Sequence, residues 1–326
     1  MTIDVETWPR AWPLEKNPGF GFDVSHLSGD FERCIVGRVG DRFWGLGYQL
    51  ERLAAYDLKA VFFVEPLFAG VMGLTYLERI VSLIQQAGQE VQLHPHTEWI
   101  PWQKEPFLSS ACRSNRLHGF DLETQKKIIQ RGVNLLKECG VSRVTAFRAG
   151  SFGADNRTLQ ALAQLEIVCD ASYNASYVGH TCRIQTSKRL FWPQWQDGVI
   201  LFPMGCFVDF PGHLRHLQVT ACSLSELTTM LNQAQEAAWP SITLLSHSFE
   251  LLNRAKTGLD PLVQRRFEGL CRFLAAERGR LSTVGFNDLP LLDPATVVIQ
   301  PAPLQSHLLR TGWRMVQQVA SRAFAL

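Results

Sequence analysis

The chain has 326 residues, of which 46% are hydrophobic and 19% are charged. That composition supplies enough apolar side chains for one large core, and the length is ordinary for a single α/β barrel. The formal net charge is +2, from 32 basic and 30 acidic side chains. Because nucleic-acid-binding proteins usually carry a pronounced basic surface, this balance argues against a nucleic-acid partner.

The sequence carries no sign of export or of a membrane span. Asp4 and Glu6 stand where a secretory signal would have a basic start followed by an apolar run. No stretch approaches the roughly 18 consecutive apolar residues of a spanning helix. The eight cysteines include no Cys-x-x-Cys pair and are typical of reduced thiols. We therefore expect a cytoplasmic protein.

Short apolar runs alternate with amphipathic helical patterns, as in a mostly parallel α/β sheet or barrel. The predicted strands, in chain order, are Thr2–Val5, Lys59–Val64, Glu90–His94, Arg143–Phe147, Glu166–Asp170, Val199–Phe202, Ile242–Ser246 and Leu281–Val284. Between them, one predicted helix ends at Cys139 with Gly140 as a left-handed cap, and another begins with a capping box of Ser223 and Glu226. The predicted fold class is α/β, as a single distorted (β/α) barrel of about seven or eight parallel strands with a C-terminal amphipathic helix.

Three regions follow from this pattern. Residues 1–289 form the barrel, residues 290–303 form a proline-rich extended segment, and residues 304–326 form the amphipathic helix. The charged residues of that helix are Arg310, Arg314 and Arg322, beside a broad apolar stripe. Such a helix can pack on the barrel or on a second subunit, or it can make weak contact with a membrane surface.

In parallel α/β barrels the chemistry lies at the carboxyl ends of the strands. The first predicted strand ends with Asp4 and Glu6, and the third ends with His94 and His96. Residues two apart on a strand point to the same face, so each pair can reach one site. Two imidazoles at the end of a buried strand are a common zinc arrangement. Glu98 is a competing ligand if the chain forms a helical turn after His94.

Three further strand ends carry polar residues. Arg148 follows the fourth predicted strand, and an arginine there needs a carboxylate partner in order to be buried. Asp170 ends the fifth predicted strand, and His247 follows the seventh. Any one of these residues could be structural, but five such strand ends together indicate a functional site.

The order Asp-x-Glu, His-x-His, Arg-Ala-Gly-Ser-Phe, Asp-x-Ser and Leu-x-His, over residues 1–288, resembles the motif series of the polysaccharide deacetylase (NodB-homology) family. The resemblance implies a metal-dependent hydrolase that removes N-acetyl groups from an amino-sugar-containing saccharide, with a divalent metal, expected to be zinc, as cofactor. It implies that Asp4 is the catalytic base and that Glu6 and His94 are metal ligands.

The same resemblance implies roles for four residues later in the chain. Arg148 would orient Asp4 and keep it ionised, and Phe152 would line the substrate groove. Asp170 would position His247, which matches the general acid of the family.

The sequence departs from the family pattern at both ligand motifs. The commoner pattern has adjacent aspartates where Val5 here separates Asp4 from Glu6, and it has two histidines four residues apart. Position 98 holds Glu98 instead, and the second histidine is His96. His96 lies on the same strand face as His94, which favours it as the second ligand of this motif. The spacing of four residues in the family pattern favours Glu98 instead, so both stay candidates.

The substrate is less closely defined by the sequence. Trp99, Trp102 and Trp195 lie in predicted loops and are candidates for stacking on sugar rings. A cytoplasmic enzyme would meet lipid- or nucleotide-linked saccharides, so we expect a polysaccharide precursor as substrate. Two other functions are considered: a metal-dependent amidohydrolase acting on non-sugar C–N bonds, and a catalytically silent barrel that binds glycans or a partner protein.

Overall fold

The computed structural model describes residues 1–9, 26–109, 114–289 and 299–323. The strands are β1 (Thr2–Val5), β2 (Arg38–Val39), β3 (Arg42–Phe43), β4 (Val61–Val64), β5 (Glu90–Leu93), β6 (Ala146–Phe147), β7 (Cys169–Asp170), β8 (Gln194–Gln196), β9 (Val199–Leu201), β10 (Cys206–Phe210), β11 (His213–His216), β12 (Leu245–His247) and β13 (Leu304–Gln305). The α-helices are α1 (Leu27–Phe31), α2 (Leu46–Ala55), α3 (Ala69–Met72), α4 (Leu74–Gln86), α5 (Leu122–Glu138), α6 (Asn156–Gln164), α7 (Leu224–Glu236), α8 (Pro261–Ala276) and α9 (Leu308–Ala323).

Eight strands form one curled sheet in the order β12-β1-β4-β5-β6-β7-β9-β8. Neighbouring strands run parallel except β8, which is antiparallel to β9. A second sheet has the order β11-β10-β13, and β2 pairs with β3. The predicted α/β class and distorted barrel are confirmed, with the main sheet curled into a half-barrel.

Strand periodicity divides the core into two layers. Ile3 and Val5 of β1 belong to the large core that the helices cover. Phe63, Ala146 and Ile200 belong to a smaller cluster on the other, concave face of the sheet. Successive residues of a strand face opposite sides of the sheet. Polar residues that point into the barrel interior therefore alternate along each strand with apolar residues that face the helices.

Several predicted helix features are confirmed. In α4 the apolar stripe that includes Leu77 and Ile84 is fully buried. Helix α5 ends just before Gly140, whose φ of 92° is the left-handed conformation expected of a helix cap. At the start of α7, Ser223 and Glu226 form the predicted reciprocal capping box.

One predicted strand is wrong. Leu281–Val284 contains no strand, and the eighth strand of the sheet is β8, which forms a hairpin with β9. This part of the chain instead contacts the sheet through side-chain hydrogen bonds. Thr283 Oγ1 accepts a bond from the Lys59 backbone at 3.0 Å, and the carboxylate of Glu90 accepts one from the Phe286 backbone at 3.1 Å. These contacts satisfy single backbone groups and do not extend the ladder.

The C-terminal region differs in detail from its prediction. Most of the extended segment predicted over 290–303 lies outside the described residues, and 299–303 have no regular secondary structure. The predicted helix of 304–326 begins only at Leu308, because Leu304 pairs with Phe207 of β10 in the second sheet. Among the described helices, none has the length and apolar character needed to cross a bilayer.

Helix α9 packs on the barrel through its polar side. Thr311 is buried and donates a hydrogen bond to the Asp209 carbonyl at 2.8 Å. Arg314 is fully buried and pairs with Asp209 and Glu226, each at 2.9 Å. The apolar side consequently faces solvent, and its exposed residues are Leu308, Leu309, Trp313, Met315, Val316 and Val319.

Candidate active site

Four strand ends bring predicted polar residues to one place. Asp4 lies in β1, His94 directly follows β5, Arg148 directly follows β6, and His247 ends β12. Asp4 and His247 are paired in register on neighbouring strands. Because parallel strands end at the same edge of a sheet, these side chains meet at the carboxyl edge, where barrel chemistry is usually found.

Three ligand atoms form a compact buried triangle. Glu6 Oε1 is 2.9 Å from His94 Nε2 and 3.1 Å from His96 Nε2, and the two imidazole nitrogens are 3.2 Å apart. A tetrahedral metal with bonds of roughly 2.0–2.1 Å requires ligand atoms about 3.3 Å apart. The three atoms therefore fit one face of a tetrahedral site.

Each histidine is oriented by its other ring nitrogen. His94 Nδ1 is 2.8 Å from the Arg148 carbonyl, which can only accept, so Nδ1 donates to it and Nε2 is turned toward Glu6. His96 Nδ1 is 3.2 Å from Glu98 Oε2. Metal-binding histidines commonly donate their second N–H to a carbonyl or a carboxylate in this way. Glu98 thus contacts His96 through Nδ1, whereas Glu6 contacts Nε2.

The cluster stabilises positive charge. Burial disfavours ionised Glu6, but the charge of His96 and hydrogen bonds from both imidazoles hold the pKa of Glu6 well below its usual range. Burial likewise opposes a charged His96, but Glu6 and Glu98 raise the pKa of His96 well above its ordinary value. A bound cation would satisfy the same carboxylates, and the chemistry of the donor set therefore fits a divalent metal.

Sequence reasoning missed Trp8, which holds the second oxygen of Glu6. The indole Nε1 of Trp8 donates to Glu6 Oε2 at 2.6 Å, and its ring packs edge-on against His96 with 4.6 Å between centroids. Glu6 is therefore oriented by Trp8 at one oxygen while the other faces both histidines. The available signal was the spacing, because Trp8 follows Glu6 by two residues directly after β1, and side chains two apart share a face wherever a strand continues.

Asp4 is held by a fully buried arginine, as the resemblance implied. Arg148 forms an ion pair with Asp4 Oδ1 and donates from Nη2 to Thr2 Oγ1 at 3.0 Å. Its guanidinium also lies over the Phe63 ring, 4.2 Å from the centroid. The other carboxylate oxygen, Asp4 Oδ2, is 3.5 Å from His94 Nε2. One oxygen of Asp4 is thus anchored, and the other faces the histidine cluster.

The carboxylate partner of His247 is Glu250. His247 Nδ1 is 2.8 Å from Glu250 Oε1, and His247 Nε2 is 3.9 Å from Glu6 Oε1. Burial opposes the charged imidazole, but the hydrogen bond to Glu250 and the nearby carboxylates raise the pKa of His247 to about 9. The side chain is 19% exposed, so it reaches both the cluster and the solvent.

The predicted contact between Asp170 and His247 is wrong. Asp170 is in register with Phe147 and Leu201, which both belong to the helix-covered core, whereas Asp4 lies on the concave face. The carboxylate of Asp170 instead accepts hydrogen bonds from the Ser172 amide at 3.0 Å and hydroxyl at 2.6 Å. Burial raises the pKa of Asp170 to about 6.

Phe152 lies beside the site on an unusual stretch of backbone. Ser151 and Phe152 both have positive φ, at 53° and 57°, directly after Gly150. A Cβ on Gly150 would lie 2.7 Å from His96 Nδ1, so the chain approaches the imidazole as closely as glycine allows. The Phe152 ring is 5.8 Å from that of Tyr177, a partly exposed aromatic that sequence reasoning did not single out.

The predicted tryptophan platform is not a single surface. Trp99 is fully buried against Trp8 and Phe68, so it cannot contact a sugar in this structure. Trp102 is half-buried against the same large core. Trp195 is also half-buried, on β8 at the far edge of the main sheet, and packs against the concave-face cluster. The burial of Trp99 therefore contradicts its predicted role, whereas sugar stacking by Trp102 and Trp195 stays a prediction.

No protein-family model and no curated protein matches the chain. Solved structures do match its fold. One is a putative polysaccharide deacetylase from Mycobacterium smegmatis, with a TM-score of 0.53 and 18% identity, over 88% of this chain and 86% of that one. A family 4 carbohydrate esterase from Streptomyces lividans, in complex with acetate, matches with a TM-score of 0.40 and 10% identity, over 85% and 86% of the two chains.

A third solved structure is described as a CE4 family pseudoenzyme from Bacillus anthracis. It matches with a TM-score of 0.40 and 13% identity, over 81% of this chain and 66% of that one. The likeness to the Mycobacterium smegmatis structure, which extends over most of both chains, is a likeness of fold. The chain described here therefore has the polysaccharide-deacetylase fold.

Proposed function

We propose that this protein is a metal-dependent deacetylase that hydrolyses the N-acetyl group of an amino sugar within a saccharide. The observation that carries the proposal is the buried triangle of Glu6, His94 and His96 with two acid–base candidates beside it. Asp4 lies 3.5 Å from one corner of the triangle, and His247 lies 3.9 Å from another. A binding module would have no need of both.

Glu6, His94 and His96 would hold the metal, and zinc suits this mixture of nitrogen and oxygen donors. When bound, a divalent ion supplies Lewis-acid activation of water and of the acetyl carbonyl. Glu98 stays the alternative ligand, but its contact with His96 Nδ1 favours a supporting role. That the metal is zinc is part of the proposal.

The chain's own residues would carry the protons. Asp4 Oδ2 would accept the proton of the attacking water, while the ion pair from Arg148 to Oδ1 holds the carboxylate in place. His247 would donate a proton from Nε2 to the departing amine. Phe152 would line the groove beside these groups. The products would be acetate and a free amino sugar.

The first test is acetate release from N-acetylated oligosaccharides by the purified protein. We expect turnover that a chelator abolishes and that added zinc restores. Asp4→Asn and His247→Ala should each reduce turnover by roughly 10²–10⁴-fold, as is typical of a lost acid or base, while keeping the metal content of the wild type. Near-normal activity in either variant would contradict its assigned role.

Parallel assays separate this proposal from its rivals. A metal-dependent amidohydrolase would hydrolyse non-sugar amides, such as cyclic ones, in preference to acetylated sugars. A silent barrel would bind an oligosaccharide without releasing acetate even when loaded with metal. The buried Asp4–Arg148 pair favours a catalyst over a silent barrel. Burying the pair costs desolvation free energy, which a glycan-binding surface does not require.

We further propose that the substrate is a lipid- or nucleotide-linked precursor and that the protein acts in the cytoplasm, as the sequence predicts. The exposed side of α9 supports contact with an anionic membrane surface. Leu309 and Trp313 are 77% and 58% exposed, Arg310 is exposed, and the chain has no acidic residue after Asp293. Apolar side chains beside basic ones are the pattern of an interfacial helix.

Point substitutions test this contact without removing the helix. We expect the protein to co-sediment with phosphatidylserine vesicles at low salt and to be released by salt, since each basic charge contributes only about 1 kcal/mol. Leu309→Gln with Trp313→Gln should reduce binding, whereas Leu83→Gln, at an exposed position on α4, should not. Failure of the wild type to bind, or salt-insensitive self-association through α9, would contradict membrane docking.

A further inference from the structure

Glu250 is brought to His247 by a tight turn. Strand β12 ends at His247, and the backbone N–H of Glu250 bonds to the His247 carbonyl at 3.1 Å. The start of the turn is anchored to the site, because the Ser248 backbone N–H bonds to the Asp4 carbonyl at 2.9 Å. The turn places Glu250 Oε1 2.8 Å from Nδ1 of His247, which lies three residues earlier in the chain.

Neutral donors hold the Glu250 carboxylate in that position. Thr220 Oγ1 donates to Oε1 at 3.2 Å, Ser246 Oγ donates to Oε2 at 3.2 Å, and the Gln218 amide also donates to Oε1. Among the described residues, no lysine or arginine forms an ion pair with Glu250; its charged partner is His247. The buried carboxylate is therefore oriented by its neighbours but left to interact with the imidazole.

The pairing determines which nitrogen of His247 faces the metal-site triangle. A carboxylate only accepts, so Nδ1 must carry a proton, and the bond fixes the ring with Nε2 turned toward Glu6 at 3.9 Å. Without the carboxylate, the imidazole could rotate or adopt the other tautomer. In the proposed reaction, either change would remove the proton donor from the leaving amine.

We propose that Glu250 is a positioning residue that fixes the ring orientation and the Nδ1–H tautomer of His247. The inference rests on the proposed function, in which His247 donates the proton, and it assigns to Glu250 a role that the family resemblance gave to Asp170. Glu250 itself touches no reacting atom. Its effect on the reaction passes entirely through His247.

Activity measurements give the first readout. Glu250→Gln keeps the size of the side chain but can donate an amide proton to Nδ1, which favours the wrong tautomer. We expect kcat to fall by at least about 10-fold, with an upper bound near the roughly 10⁴-fold typical of an equivalent change in a catalytic triad, and KM to change little. Glu250→Asp should recover part of the loss, and Glu123→Gln, at an exposed position, should change nothing.

A double-mutant cycle separates positioning from a structural role. In the His247→Ala background, Glu250→Gln should cause no further loss of activity, because its only route to the reaction has been removed. A further loss similar to that seen in the wild-type background would show that Glu250 acts elsewhere. Metal content and circular dichroism of each variant check that the fold and the metal site are retained.

A readout independent of activity completes the experiment. In nitrogen-15 NMR spectra, we expect His247 to show a hydrogen-bonded Nδ1–H that is lost in His247→Ala and in Glu250→Gln. If the wild type shows this proton but releases no acetate, the proposed function fails and the positioning role stands. If the proton is missing in the wild type, or survives in Glu250→Gln with full activity, the positioning role is overturned.

Discussion

At the scale of single residues, the contact that Glu98 makes indicates that it supports a metal ligand and is not itself one. Its carboxylate meets Nδ1 of His96, whereas Glu6 meets Nε2. We therefore expect His94→Ala and His96→Ala to lose the metal, and Glu98→Gln to keep it with affinity reduced by roughly 10–100-fold, as for other supporting carboxylates. Metal-to-protein ratios after dialysis measure this. A metal-free Glu98→Gln beside a metal-loaded His96→Ala would reverse the assignment.

At this scale the sequence identified the residues of the site and the partner of Asp4, but not the partner of His247. Asp4, Arg148 and His247 were found from strand ends, and the structure brings them to the same edge of the sheet. The partner of His247 was predicted incorrectly because which face Asp170 points to depends on strand register, and register is set by packing against neighbouring strands. The turn that returns Glu250 to His247 has no comparable periodic signal.

At the scale of single elements, helix α9 depends on one buried arginine. Arg314 is fully buried between Asp209 of β10 and Glu226 of α7. Arg314→Ala would leave both carboxylates without that partner, and removing one member of a buried ion pair typically costs about 3–5 kcal/mol. We expect that loss in the free energy of unfolding measured with urea.

The exposed Arg310 on the same helix provides the control. Arg310→Ala should change the free energy of unfolding by less than about 0.5 kcal/mol, as is usual for surface substitutions. Equal effects of the two substitutions would mean that α9 is not anchored through Arg314. Limited proteolysis near residue 308 would also report local release of the helix, even where the barrel stays folded.

Element prediction succeeded where periodicity was long and failed where it was short. Helices α4 and α5 extend over several turns, and their apolar stripes were read correctly. Leu281–Val284 has a strand-like composition but joins no sheet, and Val284 remains exposed. Helix α9 was predicted from its stripe, but the stripe faces outward because a buried ion pair determines which side packs.

At the scale of the whole molecule, Asp170 makes stability depend on pH. Its pKa is about 6 in the folded protein, against about 3.9 when unfolded. Between these values the folded state holds a proton that the unfolded state has released, so stability falls as pH rises from about 4 to about 6. The shift corresponds to about 3 kcal/mol.

Comparison of two pH profiles isolates this contribution. Urea unfolding of the wild type and of Asp170→Asn should give curves that converge near pH 4 and separate by pH 7, with the wild type losing more stability. The asparagine still accepts one hydrogen bond from Ser172 but cannot ionise. Parallel curves across this range would show that Asp170 does not hold its proton in the folded state.

The position of β1 between β4 and β12 has a consequence for how the protein is made. Thr2 bonds to Leu244 across 242 residues of chain, and β12 is the last strand of the main sheet in chain order. At typical synthesis rates of about 5–20 residues per second, β1 would leave the ribosome roughly 10–50 s before its second neighbour. During that interval β1 has an unpaired edge, and such edges favour association with other chains. Pairing over so long a separation also slows folding.

The acid–base pair of Asp4 and His247 would therefore be completed late. A nascent chain would gain activity only once β12, the final strand of the main sheet, is in place.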